Sequence, residues 1–349
     1  MLAIRLDLMG DVIFTLPALE AMREAMPQAR ISFLALPYTG ELLVGHPAVD
    51  EVISVDVNRW RRPGHWITGT AVGELSSAIS ALRQRRFDLA ISFYGRVGAA
   101  AALLSGAGFL VGYGEEGFAH GFDLPVPGRR YLVRKHEVEY CVELVRATGA
   151  KEEPRLPRLR PDPRSSERVG LLLSGLGLRE GERLAALHPG ALSSTAKQWL
   201  PDRWAAVADR IQTELGFRVL LVGSASELPL VGELTRLMRT RPVVLAGKTS
   251  VRELVALISR CSLFIGGDSG PLHVAGAVGV PSVSIYGPTD PLVTGPLGSP
   301  HRVLRAGVPC SPCYDPMRPV ACRRPKYECM LGVSADEVFE AVAEMMAGK

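Results

Sequence analysis

Residues 263–278 read LFIGGDSGPLHVAGAV and contain the three parts of an α/β unit in one stretch. Residues 263–265 form an apolar run short enough for a buried strand, and Gly266, Gly267 and Asp268 form a turn. Residues 272–278 then continue as a helix, and residues 282–285 form the next strand. Strands that alternate with helices predict βαβ units and a parallel sheet.

The same pattern extends through the second half of the chain. Strands are predicted at 184–187, 219–222 and 243–245, and helices at 201–214, 228–238 and 251–259. Four of the strands in this half end in a glycine-containing turn, at 188–190, 223, 266–268 and 286–288. Ligands of open α/β sheets bind beyond the carboxyl ends of the strands, so these turns outline a pocket.

The first half repeats this architecture without a readable sequence repeat. Strands are predicted at 2–6, 31–35, 49–55 and 89–93, and helices at 12–26, 99–104 and 136–148. Residues 153–166, EPRLPRLRPDPRSS, lack apolar periodicity and predict a linker. A chain of 349 residues is too long for one ordinary core. We therefore predict domains at 1–160 and 161–333, followed by a C-terminal segment, 334–349, that contains an amphipathic helix.

Composition narrows the class of protein. Hydrophobic residues make up 47% and charged residues 22%, which is typical of a globular protein. The net charge of +4 does not by itself imply nucleic-acid binding, and we expect no nucleic-acid partner. Arg5, Asp7 and Asp11 interrupt the first apolar stretch, which argues against a leader or membrane helix. We expect a cytoplasmic protein.

Asp11 follows the first predicted strand, at the start of the first helix. A carboxylate at this place could act as a general base on an acceptor hydroxyl. The alternative is a helix N-cap, a position at which aspartate is favoured.

Residues 188–199, HPGALSSTAKQW, place hydroxyls and a lysine directly after a strand. Backbone N–H groups, the Ser194 and Thr195 hydroxyls and the Lys197 ammonium together suit a diphosphate, although a polar surface loop would look the same.

The turn 266–273 allows a ligand to approach the backbone at its glycines, and the following helix favours an anion at its N-terminus. Asp268 could accept hydrogen bonds from sugar hydroxyls. In the alternative interpretation, Asp268 and Ser269 are helix caps and His273 is a packed helix residue. Glu227, after the strand that ends at Gly223, could bind ribose or simply begin a helix.

Two further motifs are weaker. Residues 112–117 fit G-x-G-x-x-G, but no helical pattern follows them. Cys310, Cys313, Cys322 and Cys329 could hold zinc or an iron–sulfur cluster, but only the first pair has regular ligand spacing, so free thiols are favoured.

A basic run, Arg59, Arg61 and Arg62, could bind carboxylate or phosphate, or be a solvated loop.

Several of these segments together resemble the heptosyltransferases, glycosyltransferase family 9, over residues 1 to about 345. The resemblance is carried by the following segments: IRLDLMGDV at 4–12, TLPAL at 15–19, HPGA through KQW at 188–199, DSGPLHVA at 268–275, YGPTD at 286–290, and the cysteine-bearing tail from CSPC at 310–313. It implies a GT-B fold, in which two Rossmann-like domains face each other across a cleft and the C-terminal helix crosses back to the first domain.

The resemblance also implies a function and site residues. The reaction would move heptose from ADP-L-glycero-β-D-manno-heptose to the inner core of lipopolysaccharide, with inversion, at the cytoplasmic face of the inner membrane. The implied roles are general base for Asp11 and leaving-group ligand for Lys197, helped by Ser194 and Thr195. Asp268, Ser269, the Gly270 backbone and His273 would form the donor site, with Glu227 on the ribose. Arg59, Arg61 and Arg62 would bind the acidic acceptor, lipid A–core.

No metal or other cofactor is then needed, since the lysine and helix N-termini can offset the charge of the leaving diphosphate. Ser269 stands where threonine is commonest in the family. A family-9 transferase with another nucleotide sugar or acceptor, a GT-B sugar-nucleotide epimerase, and a non-catalytic nucleotide-sugar binding protein remain alternatives. An NAD-dependent dehydrogenase would need G-x-G-x-x-G at a strand–helix turn, and the sequence has no such motif there, which argues against this class of enzyme.

Overall fold

The computed structural model describes residues 1–60, 70–116, 118–128, 133–151, 155–191, 194–314, 322 and 327–348. The chain divides into two compact units, Met1–Pro157 and Arg158–Lys349. The division falls inside the proline- and arginine-rich segment, three residues before the predicted boundary at 160.

The first unit contains a parallel six-stranded sheet in the order β3-β2-β1-β4-β5-β6. Its strands are β1 (Leu2–Ile4), β2 (Ser32–Ala35), β3 (Glu51–Ser54), β4 (Leu89–Ser92), β5 (Phe109–Tyr113) and β6 (Leu124–Val126). This is the order of a dinucleotide-binding sheet, in which the strand order reverses between the first and fourth strands.

Helices cover this sheet and connect its strands. They are α1 (Met9–Ala25), α2 (Pro37–Gly40), α3 (Val57–Trp60), α4 (Thr70–Gln84), α5 (Gly95–Leu104) and α6 (Glu137–Ala147), with short 3-10 helices at Glu41–Leu43, Gly114–Glu116 and Ala119–Gly121. Buried apolar side chains from β1, β2, β4 and α5 form a core cluster that includes Leu2, Ile4, Leu34 and Ala99.

The second unit repeats the topology. Its parallel sheet has the order β12-β11-β10-β7-β8-β9, which is the same arrangement when its strands are counted from β7. The strands are β7 (Leu184–His188), β8 (Arg218–Leu221), β9 (Val243–Val244), β10 (Leu263–Gly267), β11 (Ser282–Ile285) and β12 (His301–Leu304).

The helices of the second unit are α7 (Pro163–Gly175), α8 (Pro201–Leu215), α9 (Leu228–Leu237), α10 (Val251–Ser259), α11 (Gly270–Ala277), α12 (Pro291–Thr294), α13 (Glu328–Leu331) and α14 (Ala335–Ala347), with 3-10 helices at Thr195–Lys197 and Ala225–Glu227. The final helix, α14, begins at a capping box formed by Ser334 and Glu337. Its buried Val338 and Val342 join the core of this unit beside Trp204 of α8. The expected crossing of α14 to the first domain stays a prediction.

The predicted linker 153–166 is partly wrong, because α7 begins at Pro163 within it. Asp162 caps this helix by accepting a hydrogen bond from the Ser165 backbone N–H at 3.1 Å. Proline at the first helical position is a start signal, although the sequence interpretation took it as a break.

Other elements were missed for related reasons. β5 contains Gly112 and lies among glycines, and the sequence pattern predicts no strand there. β12 is an edge strand whose His301 and Arg302 are exposed, which removes the apolar signal. α4 contains Gly73 and two adjacent serines, which weaken its helical pattern. Among the described residues, no helix is both long and apolar enough to cross a membrane.

Candidate functional site

In a sheet of this order, ligands bind at the crevice where the strand order reverses. In the second unit this point lies between β7 and β10, which pair in parallel. His188 is the last residue of β7, and Asp268 and Ser269 directly follow β10. The topology therefore brings together residues that lie about 80 positions apart in the sequence, His188 and Ser269.

A buried ion pair occupies one side of this crevice. The Lys197 Nζ donates a hydrogen bond to Asp268 Oδ2 at 2.8 Å, and the two side chains are 9% and 7% exposed. His273 Nε2, from α11, lies 3.5 Å from Asp268 Oδ1. The Lys197 ammonium also lies 4.3 Å from the centre of the Tyr314 ring, within cation–π range. Two cationic or potentially cationic groups therefore face one carboxylate.

These contacts keep Asp268 ionised. Burial alone would raise the pKa of Asp268, but Lys197 and His273 outweigh it and hold the pKa well below its ordinary value. The neighbouring Tyr286 changes in the opposite direction, since burial and the Asp268 charge raise the pKa of its phenol well above the usual range. Its hydroxyl donates to the Thr294 carbonyl at 2.7 Å.

A second chain of hydrogen bonds lies on the other side. His188 Nε2 is 3.1 Å from Glu227 Oε1, and His188 Nδ1 is 3.0 Å from Ser269 Oγ. Glu227 Oε2 accepts from both the backbone N–H and the hydroxyl of Ser224, at 2.7 and 2.8 Å. Burial would raise the pKa of Glu227, but the hydrogen bonds from His188 and Ser224 outweigh it and lower the pKa to about 2.

Gly190 makes room for this arrangement. A Cβ atom at Gly190 would lie 1.7 Å from Glu227 Oε1 and 3.2 Å from His188 Nε2. Only glycine therefore lets the turn after β7 approach the Glu227 carboxylate this closely.

The remaining donor-site residues lie in the turns around these two networks. Ser194 precedes the 3-10 helix that carries Lys197, and its Oγ accepts from the Ala196 N–H at 3.2 Å. Thr195 is exposed. Gly270 is the first residue of α11, and Ser269 is its N-cap residue, whose hydroxyl makes no capping hydrogen bond.

The corresponding crevice of the first unit, between β1 and β4, has a different arrangement of charge. Arg5, directly after β1, is 1% exposed. Three carboxylates surround its guanidinium: Asp7 at 2.8 Å, Glu137 at 2.9 Å and Asp11 at 3.2 Å. Burial alone would lower the pKa of Arg5, but these carboxylates outweigh it and raise the pKa well above its ordinary value. The carboxylates also act on Tyr38, since burial, Asp11 and Asp7 raise its pKa to about 12.

Asp11 is the third residue of α1, whose N-cap position is Leu8. Its Oδ1 accepts from Arg5 and its Oδ2 accepts from the Leu8 backbone N–H, both at 3.2 Å. Asp11 thus satisfies a free helix N–H without being the cap residue itself. Its side chain remains 29% exposed.

Of the predicted acceptor residues, the structure describes Arg59. It is an exposed residue of α3, and its guanidinium lies 3.4 Å from Glu74 Oε1. Arg61 and Arg62 lie outside the described residues.

All six cysteines are free thiols. Burial, with the nearby Cys313, Cys322 and Cys310, raises the pKa of Cys329. Within the part of the chain that the structure describes, no group of His, Cys, Asp and Glu side chains has the arrangement of a metal site.

Sequence reasoning missed His188, Arg5, Glu137 and Tyr314. His188 and Arg5 stand at strand ends, a position that could have marked them. Glu137 lies 132 residues from Arg5, and no local pattern connects the two.

Two Rossmann-like units in tandem match the GT-B architecture that the resemblance implies. The chain belongs to glycosyltransferase family 9, because the family model described as glycosyltransferase family 9 (heptosyltransferase) matches residues 76–322. It is therefore a glycosyltransferase of the heptosyltransferase type.

The chain is also similar to known heptosyltransferases over most of its length. It is 30% identical over 326 residues to lipopolysaccharide heptosyltransferase 1 of Pseudomonas aeruginosa, covering 89% of this chain and 85% of that protein. It is 29% identical over 315 residues to lipopolysaccharide heptosyltransferase 2 of Salmonella typhimurium, covering 85% of each. The fold matches the E. coli ADP-heptose LPS heptosyltransferase II with a TM-score of 0.78 at 23% identity, over 99% of this chain and 98% of that one. The predicted family and the two-domain GT-B architecture are confirmed.

Proposed function

We propose that the protein transfers heptose from ADP-L-glycero-β-D-manno-heptose to the inner core of lipopolysaccharide, with inversion at the anomeric carbon. The names of the P. aeruginosa and Salmonella relatives describe lipopolysaccharide heptosyltransferases, and the name of the E. coli protein adds ADP-heptose. The observation that carries the proposal is the pair of networks at the second crevice, Lys197–Asp268–His273 and Glu227–His188–Ser269. One network offers cationic donors for a diphosphate, and the other offers oxygen acceptors for hydroxyls.

Lys197 is the proposed ligand of the leaving diphosphate. An ammonium has three N–H groups, and one of them is used by Asp268. The other two can donate to phosphate oxygens without breaking the ion pair. Ser194 and Thr195 stand directly before Lys197 and add hydroxyl donors. In a buried setting, such fixed donors stabilise the negative charge that develops on the leaving group.

Glu227 is the proposed ribose ligand. A carboxylate accepts about four hydrogen bonds. Three are given by His188 and Ser224, two of them to Oε2, so Oε1 retains a lone pair for a ribose hydroxyl. Asp268, Ser269, the Gly270 backbone and His273 complete the proposed donor site, next to the diphosphate ligand.

Asp11 is the proposed general base. The acceptor hydroxyl oxygen attacks the anomeric carbon, its proton passes to an Asp11 carboxylate oxygen, and the bond from that carbon to the diphosphate oxygen breaks to release ADP. Arg5 and the Leu8 N–H hold the carboxylate in one orientation. A positioned base of this kind contributes about 10²–10⁴-fold.

The acceptor carries acidic sugars, and Arg59, with Arg61 and Arg62, is proposed to bind them. Lipid A anchors this acceptor, so the proposal places the enzyme in the cytoplasm, in peripheral contact with the inner membrane.

Acceptor-dependent ADP release tests the proposal. Purified protein is supplied with ADP-heptose and deacylated inner-core acceptor, and in parallel with UDP- and GDP-sugars. We expect ADP release only when ADP-heptose and the acceptor are both present, and NMR of the product should show an inverted anomeric centre. Release with a different donor or acceptor would favour another family-9 transferase. Isomerisation of the sugar nucleotide without an acceptor would favour an epimerase, and failure to bind ADP-heptose would reject the proposal.

A further inference from the structure

His188 lies between two groups of the proposed donor site and contacts both. Its Nε2 is 3.1 Å from Glu227 Oε1, and its Nδ1 is 3.0 Å from Ser269 Oγ. The imidazole is 3% exposed, so water does not replace either partner. His188 ends β7, Ser269 follows β10, and Glu227 ends the 3-10 helix that follows β8, so the ring connects side chains from three parts of the sheet edge.

The three groups constrain where the hydrogens lie. An ionised carboxylate only accepts hydrogen bonds, so the nitrogen that faces Glu227 has to carry the hydrogen. A neutral imidazole has a single N–H group. Once Nε2 carries it, Nδ1 can only accept, and the hydrogen of the Ser269 hydroxyl has to point at Nδ1.

We infer that His188 is a positioning residue that donates through Nε2 to Glu227 and accepts the Ser269 hydroxyl hydrogen at Nδ1, and so orients Ser269 Oγ as a pure hydrogen-bond acceptor for a hydroxyl group of the donor sugar. With its hydrogen committed to Nδ1, Ser269 offers only oxygen lone pairs to a ligand. The site then selects a sugar hydroxyl that donates at this position. The inference rests on the proposed function, since that function makes Glu227 and Ser269 donor ligands.

Two features of the surrounding turns agree with this role. The Ser269 hydroxyl makes no capping bond to α11, although serine at an N-cap position commonly does. The turn after β7 also has glycine at position 190, where a Cβ atom would lie 1.7 Å from Glu227 Oε1. The backbone therefore leaves space for the Glu227–His188 contact.

The tautomer is measured first, in protein without substrate. Nitrogen-15 NMR of the histidine side chains, with His188→Gln to assign the signal, distinguishes a protonated from an unprotonated ring nitrogen. We expect a protonated Nε2 and an unprotonated Nδ1. A hydrogen on Nδ1, in the other tautomer or in an imidazolium, would overturn the inference.

A matched pair of variants then separates the two halves of the contact. Glutamine places an N–H group near the position of Nε2, and asparagine places a carbonyl oxygen near the position of Nδ1. We expect His188→Gln to keep the affinity for ADP but to lose about 5–10-fold of the added affinity for ADP-heptose, as Ser269→Ala does. His188→Asn should instead keep the ratio of the two affinities and weaken both by a similar factor.

Calorimetric titration of ADP and ADP-heptose into the wild type and the three variants gives these ratios. Equal losses in both His188 variants would mean that the residue only supports the fold, and would overturn the inference. A wild type that binds neither ligand rejects the proposed function. A wild type that binds both while Nδ1 carries a hydrogen rejects this inference alone.

Discussion

The two units have the same strand order but different arrangements of charge where that order reverses. At the first crevice one buried cation, Arg5, is surrounded by three carboxylates. At the second, one buried carboxylate, Asp268, is contacted by Lys197 and His273. Topology therefore decides where a ligand binds, and the residues just after the strands decide which ligand it is.

The difference fits the two substrates of a glycosyl transfer. A region rich in carboxylate suits a hydroxyl group that has to lose a proton. A region with a buried ammonium that has N–H groups to spare suits a nucleoside diphosphate. Each half of this comparison can be tested separately.

Replacement of the proposed base should have the largest effect. In Asp11→Asn the acceptor proton has no carboxylate to receive it, so kcat should fall about 10²–10⁴-fold while the Kd for ADP-heptose stays unchanged. Steady-state ADP release and calorimetry measure the two quantities.

Asp7→Asn is the matched variant, because Asp7 also contacts Arg5 and is similarly exposed, at 26% against 29% for Asp11. It should lose much less activity. Equal losses in the two variants would mean that the charge cluster as a whole matters and that Asp11 has no special role.

The buried pair of the second unit should give the next largest effect. Lys197→Met leaves Asp268 buried without its ammonium partner, and should lower the free energy of unfolding by about 3 kcal/mol. The double variant with Asp268→Asn should recover much of this loss, because no buried charge remains. Hydrogen exchange followed by mass spectrometry would locate the loss of protection in β7 and β10. A double variant no more stable than Lys197→Met would contradict this account.

The sequence indicates which residues belong to the candidate site, but it does not indicate which side chains they contact. Asp268 was singled out because it follows a strand and a glycine turn, which is a local signal. Its partner Lys197 lies 71 residues away, and their contact depends on β7 and β10 being neighbours, which the order of elements along the chain does not determine. For Glu227, the interpretation as a helix-start residue has structural support, since its carboxylate accepts the Ser224 N–H, whereas its role on the ribose stays a prediction.

Acid should destabilise the second unit through Glu227. Its pKa is lowered in the folded protein from 4.5 to about 2, so its stabilising contribution is complete above pH 4.5 and is lost as the pH falls toward 2. The amount at stake is about 3 kcal/mol. Glu227→Gln should flatten the decline of unfolding free energy in this window. Glu180→Gln, at an exposed glutamate of the same unit, should retain the wild-type slope, and identical slopes in both variants would exclude the assignment.

The smallest effect concerns Arg59, whose pair with Glu74 joins side chains that are 57% and 36% exposed. Such pairs contribute about 0–1 kcal/mol, so Arg59→Ala should leave stability almost unchanged. If Arg59 binds the acidic acceptor, the same variant should raise the acceptor KM a few-fold, and more at low salt, while the donor KM stays constant. Glu74→Gln removes the competing carboxylate and should change the acceptor KM in the opposite direction. A change of the same sign in both variants would mean that the ion pair positions α3, and that Arg59 does not itself contact the acceptor.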